Sequence, residues 1–305
     1  MPGNSFNPAT DIGDQSGRVF FITGGTAGLG KQTILDLMNH NPGHIYFTGR
    51  NRDASNKVIE QAKASAPNVP VTFIHCDQLS LQSVQRAAHD FLASSSRLDV
   101  LICNAGIMAK PPALTADGYE QQFGVNHLAH ALFVKLLLPT LQKTVSATHD
   151  ARIIFLTSLG FKMAPAGGIA FQDLRTVQDY GTGSTWTRYG QSKLANVIYP
   201  AELARRYPEI TSVSIHPGTI ATDLIGSLGW FNRLFVYMAN LGKVQGLEVG
   251  SYQACWASTV SKRSIANGGF YEPVGKPGEG SKDSERMELW ESLWEWTEKE
   301  LLGYN

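Results

Sequence analysis

Thr23-Gly24-Gly25-Thr26-Ala27-Gly28-Leu29-Gly30 is the stretch whose reading decides the fold. It follows an apolar run, Arg18 to Thr23, and opens a segment of helical period, Leu29 to Asn39. Glycines in the spacing GxxxGxG permit a tight turn and let backbone N–H groups reach a pyrophosphate with no Cβ in the way. The helix then presents its N-terminus to the anion, adding roughly half a positive charge. Gly24, Thr26, Gly28, Leu29 and Gly30 are therefore candidate dinucleotide-binding residues, with strand and helix on either side to separate the loop from an ordinary turn.

Outward from this loop, short runs rich in β-branched and aromatic residues alternate with longer helical segments. Six runs read as strands: Arg18 to Thr23, His44 to Thr48, Val71 to His75, Asp99 to Cys103, Ala151 to Thr157 and Thr211 to His216, with Gly268 to Tyr271 as a seventh. Helices are expected at Leu29 to Asn39, Ala54 to Ser65, Leu81 to Ser94, Tyr119 to Lys143, Tyr189 to Tyr207, Leu247 to Ser258 and Ser284 to Leu301. Strands apolar on both faces and separated by helices specify an α/β, doubly wound Rossmann fold: a seven-stranded, mainly parallel sheet with helices on both faces. The alternation runs nearly end to end, so residues 18–305 are expected to form one domain. Residues 1–17, polar and rich in Gly, Pro, Asn and Asp, read as a flexible leader.

Composition narrows the function. With 26 basic and 26 acidic side chains, nothing suggests nucleic-acid binding, and a small neutral substrate fits best. The three cysteines, Cys76, Cys103 and Cys255, are odd in number and unevenly spaced, which points to a reducing, cytoplasmic compartment and to packing as small apolar residues. No apolar stretch reaches the ~18 residues of a transmembrane helix.

Twenty positions after Gly30 stands Arg50, just past the second strand. An acidic residue there would hold ribose hydroxyls. Thr48, Gly49 and Arg50 offer none, and an arginine suits a 2′-phosphate, so the implied cofactor is NADP(H). Asp77, after the third strand, suits a hydrogen bond to an adenine amino group or, equally, a helix N-cap.

Tyr189 and Lys193 are four apart in Tyr-Gly-Gln-Ser-Lys, hence on one helix face. A phenol titrates near pH ~10, and a neighbouring ammonium would stabilise its phenolate. Alone, such a pair reads as a surface contact. Its companions change that: Asn104-Ala105-Gly106 after the fourth strand, Ser158 after the fifth, and His216-Pro217-Gly218 after the sixth, with Ile220 and Thr222 beyond. All fall at the carboxyl ends of strands, where open α/β sheets bind ligands.

In combination TGGTAGLG, NAG, the post-strand serine, YxxxK and PG make the chain, over roughly Arg18 to Tyr271, resemble the short-chain dehydrogenase/reductase family. Val-Asn-His-Leu-Ala-His and Ser-Lys-Leu-Ala-Asn look closest to its retinol-dehydrogenase-like branch and related fungal reductases. The resemblance implies a catalytic set of Asn126, Ser158, Tyr189 and Lys193, with Asn126 bending its helix around a water that links Lys193 to solvent. It further implies that Tyr189 donates a proton, Ser158 polarises the substrate oxygen and Lys193 contacts the nicotinamide ribose. One departure stands: the stretch between Ser158 and Tyr189 is longer than the minimal pattern and carries Gly167, Gly168, Gly181 and Gly183, so a loop is expected beside the site.

The implied activity interconverts a ketone or aldehyde and an alcohol on an apolar small molecule, retinoid-like, steroid-like or of secondary metabolism. Two alternatives stay open: a non-redox epimerase, dehydratase or cyclase on the same fold, and a silent NADP(H)-sensing protein. His127 and His130 lack the further ligands of a metal site and read as core or interface residues; no metal is expected. His75 and His216 sit at strand ends and read as structural, with His216 near the cofactor. Trp290, Trp294 and Trp296 fall on the last helix, the first two as an apolar stripe for core or subunit contact. Residues 223–243 are unusually apolar and read as a substrate lid, a subunit interface of a homodimer or homotetramer, or a peripheral membrane contact.

Overall fold

Each strand residue alternates between two faces, and here both faces are covered. In β1 (Val19–Ile22), Val19 and Phe21 enter one apolar cluster while Phe20 and Ile22 enter another. The same alternation holds in β4 (Val100–Cys103) and β5 (Arg152–Leu156), which is why these runs are apolar without a polar period. The computed structural model describes residues 6–218, 220 and 246–305. Thr222 and the whole 223–243 segment lie outside the described residues.

The remaining strands are β2 (His44–Gly49), β3 (Val71–His75), β6 (Thr211–Ile215), β7 (Phe270–Glu272) and β8 (Lys276–Pro277). They form one sheet in the order β3-β2-β1-β4-β5-β6-β7-β8. Every described pairing is parallel except β7 with β8. The sheet therefore has eight strands rather than seven; the eighth is two residues long and returns on β7 through a tight turn, too short to show a period. One face carries the helices Leu81–Ser94, Ala129–Thr148, Ser184–Arg206 and Met287–Glu300, and the other carries Gly28–Met38, Arg52–Ser65 and Tyr252–Thr259. The chain leaves β1 toward β2 and β3, then crosses to β4 on the other side, so the loops after β1 and β4 meet at a topological switch point.

Three local differences have physical causes. The expected leader is ordered over its described part: Asn7 caps a short helix, Pro8–Asp11, Ile12 is buried, and Gln15 N–H donates to His40 O at 2.8 Å. Phe6, Pro8 and Ile12 anchor this otherwise polar segment. The expected helix Tyr119 to Lys143 starts instead as Gln121–Phe123, passes through a π turn, Gly124–Leu128, and continues to Thr148. The expected helix from Tyr189 begins five residues earlier, at Ser184, after Gly183 at φ 88°. The tryptophans of the last helix are half-buried against the core: Trp290 packs on it, Trp294 stacks on Tyr199 at 5.5 Å between ring centroids, and Trp296, outside the stripe, meets Tyr119 and Phe123 edge-on.

Candidate active site

A cavity of about 750 Å³ opens over the carboxyl ends of the strands, in the size range of small-molecule sites. At its centre the glycine loop follows β1. Gly24 has φ 67°, and a Cβ there would come within 2.9 Å of Ala105 Cα, so only glycine fits. Gly24, Thr26, Gly28 and Leu29 line the cavity, whereas Gly30 stands behind it, where a Cβ would meet Asn104 Nδ2 and Gly24 O at 2.5 Å.

The Asn104-Ala105-Gly106 turn is tied to this loop. Asn104 N–H and Ala105 N–H donate to Thr23 Oγ1 at 2.9 and 3.0 Å, and Asn104 Nδ2 donates to Thr23 O at 2.8 Å. Behind Thr23 lies His130, fully buried and driven down to about 3 by burial, hence neutral. Its Nδ1 is 2.8 Å from the Asn126 carbonyl, which only accepts, so the proton sits there. Nε2 then accepts from the Thr23 hydroxyl at 2.9 Å and the Gln78 amide at 3.2 Å.

Asn126 also stands one layer back. Its side chain clamps Ile107, accepting from N–H at 2.8 Å and donating to C=O at 2.9 Å, and its Nδ2 donates to Ser192 Oγ at 2.9 Å. Ser192 in turn donates to Tyr189 O at 2.7 Å. Within the π turn the Asn126 carbonyl is free to accept from Asn196 Nδ2 at 2.9 Å as well as from His130.

Ser158, Tyr189 and Lys193 meet on the cavity wall despite their separation in sequence, because Leu159–Met163 forms a 3₁₀ turn packed on the Ser184–Arg206 helix. A Cβ on Gly160 would lie 2.9 Å from the Tyr189 ring. Burial pushes the Tyr189 phenol up to about 12, and its hydrogen bond with Ser158 pulls the other way. The expected lowering of this phenol by Lys193 is not what decides it; burial wins. Lys193 Nζ lies 5.9 Å from the Tyr189 ring centroid, donates to Leu156 O at 2.9 Å, and is pushed down to about 8 by burial.

The two ends differ in character. Arg50 and Asp77 line one end, with Arg50 exposed. Asp77 does not cap the next helix: Ser80 does, while Asp77 accepts from Leu79 N–H at 3.1 Å. Around Tyr189 the wall is apolar, made by Ile107, Met108, Leu159, Met163 and Trp186, and Trp186 meets the Tyr189 ring edge-on at 6.1 Å. Pro217, Gly218 and Ile220 complete that end.

Sequence reasoning missed Met108, Met163 and Trp186, as well as Arg188 behind them. Arg188 is fully buried, donating to Lys110 O at 2.9 Å and Val177 O at 3.2 Å, with Glu120, also fully buried, 3.8 Å away. Each held carbonyl adjoins a non-glycine residue at positive φ, Ala109 at 50° and Gln178 at 51°. The available signals were an arginine beside the tyrosine and a tryptophan one turn before it.

His127 is buried against Thr297 and Tyr199, and no group of three metal-capable side chains occurs among the described residues. The three cysteines are free and buried. No helix among the described residues is long and apolar enough to cross a membrane.

A family model described as short chain dehydrogenase matches residues 18–172. The chain belongs to the short-chain dehydrogenase family. Among its relatives in that family is an uncharacterized oxidoreductase of Schizosaccharomyces pombe, 36% identical over 88% of this chain and 80% of that protein. Retinol dehydrogenase 11 of Mus musculus is 35% identical over 72% of this chain and 67% of its own. An uncharacterized protein of Mycobacterium paratuberculosis shares the fold with a TM-score of 0.73 and 27% identity, covering 96% of both chains. The family is an oxidoreductase family with a Rossmann-type nucleotide-binding fold, as the motifs implied.

Proposed function

We propose that this chain is an NADP(H)-dependent oxidoreductase interconverting a ketone or aldehyde and an alcohol on an apolar small molecule. The observation that carries it is one cavity holding Tyr189, Lys193 and Ser158 at its apolar end, the glycine loop at its centre and Arg50 at the other end. The cradle fits a dinucleotide: Gly24, Thr26, Gly28 and Leu29 line the cavity beside the N-terminus of the Gly28–Met38 helix, and Thr48, Gly49, Arg50 and Asn51 place no carboxylate beside a 2′-phosphate. Arg50 would hold that phosphate, Asp77 the adenine, Asn104, Ala105, Gly106 and Lys193 the nicotinamide ribose, and Pro217, Gly218 and Ile220 the nicotinamide. Bound there, NADP(H) would supply or accept hydride. A carbonyl reductase from chicken fatty liver, solved with NADPH bound, shares the fold at a TM-score of 0.64 and 22% identity.

The chain's own groups supply the proton. At neutral pH the raised Tyr189 phenol keeps its hydrogen and donates it to the substrate oxygen, while the Ser158 hydroxyl donates a second hydrogen bond there. Lys193 Nζ, depressed toward neutrality, lies behind them as the next proton source. Ile107, Met108, Leu159, Met163 and Trp186 exclude water and contact an apolar substrate. The test follows reduced-nicotinamide absorbance with a panel of ketones and aldehydes of increasing bulk. Oxidation of NADPH with apolar carbonyls is expected; NADPH binding without turnover across the panel would refute the reading.

A further inference from the structure

We propose that Lys110 recognises a carboxylate carried by the substrate, so that the preferred ligand is an apolar ketone or aldehyde ending in one anionic group. The inference narrows the reading above: it rests on that reading for the carbonyl and on Lys110 for the charge. Lys110 lines the cavity and is half-buried. Of the other charged residues in the lining, Arg50 and Asp77 follow β2 and β3, and Lys193 stands with Tyr189 and donates to Leu156 O. Asp77 is the one carboxylate among the described lining residues, so the apolar half of the cavity contains none. Among the described residues the Lys110 ammonium has neither an ion pair nor a hydrogen bond. A half-buried ammonium gives up hydration without recovering it from a partner, a cost that a ligand carboxylate offsets.

The backbone fixes where that charge starts. Met108 and Tyr189 form a small apolar cluster on which Ala109 and Trp186 pack. Arg188, the residue before Tyr189, donates to Lys110 O at 2.9 Å. Ala109 is held at φ 50° on one side of Lys110, and Pro111 and Pro112 restrict the chain on the other. Lys110 thus stays beside the apolar wall and the proton-transfer groups, in the loop after β4, across β1 from Arg50 and Asp77. The dinucleotide's own anions have Arg50 and the loop after β1, which leaves Lys110 to the substrate. The balance of 26 basic and 26 acidic side chains, which favoured a neutral substrate, averages over the chain and does not register one cation in an apolar pocket.

Methyl-ketone acids of graded chain length, each beside its methyl ester, test the charge apart from the bulk. Calorimetry with NADP⁺ present, where the ketone cannot be reduced, reads binding, and NADPH consumption reads kcat/KM. At the chain length that binds best, wild type should favour the acid over its ester about tenfold, the contribution of one hydrogen bond to a charged group. Added salt should shrink that gap. Lys110→Met should bring the acid down to the affinity of its ester, and Lys110→Arg should restore the difference. Thermal unfolding checks that each variant folds; should Lys110→Met not fold, the wild-type gap and Lys110→Arg decide. Wild type that binds acid and ester alike at every length, or a folded Lys110→Met that keeps the gap, would overturn the assignment and leave the oxidoreductase reading to stand on ketone reduction. A gap in binding that depends on Lys110, with no NADPH consumed, would overturn the oxidoreductase reading and support the anion contact.

Discussion

Lys193→Met should make the ligand-free protein more stable at pH 7 while removing its activity. Lys193 is buried, and its ammonium falls from 10.5 to about 8 because burial penalises the charge. Below pH 8 the lysine is charged both folded and unfolded, and the folded state carries the whole penalty. Between about 8 and 10.5 the folded lysine has lost its proton while the unfolded one keeps it, so the unfolded chain binds more protons and stability rises with pH. Above 10.5 both are neutral and the penalty is gone. At about 1.4 kcal/mol per pH unit, the full effect is on the order of 3 kcal/mol. Methionine is one atom shorter and carries no charge, and Leu156 O keeps a donor in Asn196 Nδ2 at 3.2 Å, so no carbonyl is orphaned. Urea unfolding of both ligand-free proteins from pH 7 to 10.5 measures the difference, in which every other titrating group cancels. The variant should lead by about 1–3 kcal/mol at pH 7 and converge with wild type by about pH 10.5. A less stable variant at pH 7, or a gap independent of pH, would refute the claim that burial sets the state of Lys193.

Tyr189→Phe should lower turnover by about 10²–10⁴ while leaving NADPH affinity within a few fold, since the ring stays packed against Gly160 and only the hydroxyl is lost; more than about a tenth of the wild-type rate would exclude the proton-transfer role. Arg50→Asp should weaken NADPH more than NADH in binding titrations, by loss of a charge-assisted pair and by repulsion; unchanged NADPH affinity would exclude Arg50 as the phosphate partner. Trp186→Ala should reduce kcat/KM for a bulky apolar ketone by roughly 1–3 kcal/mol and leave a small one nearly unchanged. Equal losses on both would place Trp186 among packing residues.

How much of this was legible in the sequence depended on whether a residue acts through its backbone neighbourhood or through distant partners. The strands announced themselves because burial on both faces forces continuous apolar runs, as in Val19-Phe20-Phe21-Ile22. The glycine loop and the Tyr189–Lys193 pair are local patterns with fixed spacing, so they too could be read. Met108, Met163, Trp186 and Arg188 could not. They converge from a loop after β4, a 3₁₀ turn after β5 and the first turns of a helix, and no spacing encodes that meeting. Asn126 and Gly30 carried the motif's signature yet stand behind the wall, because a motif records what the site needs without recording which layer supplies it. The π turn at Gly124–Leu128 is likewise invisible to a helical period that continues on both sides of it.

Arg188 separates two kinds of freedom in this molecule. Its guanidinium holds the carbonyl of Lys110, on the pocket wall, and that of Val177, which is not among the described lining residues, beside two residues of unfavourable φ, and it is covalently next to Tyr189. Residues held in that region cost roughly 1–3 kcal/mol each unless their surroundings hold them. The ordering of the Lys110 segment is thus completed when the chain folds, so on that side binding energy is not diverted into ordering the wall. What stays free is the choice of side chain at Met108 and Met163, which line the pocket.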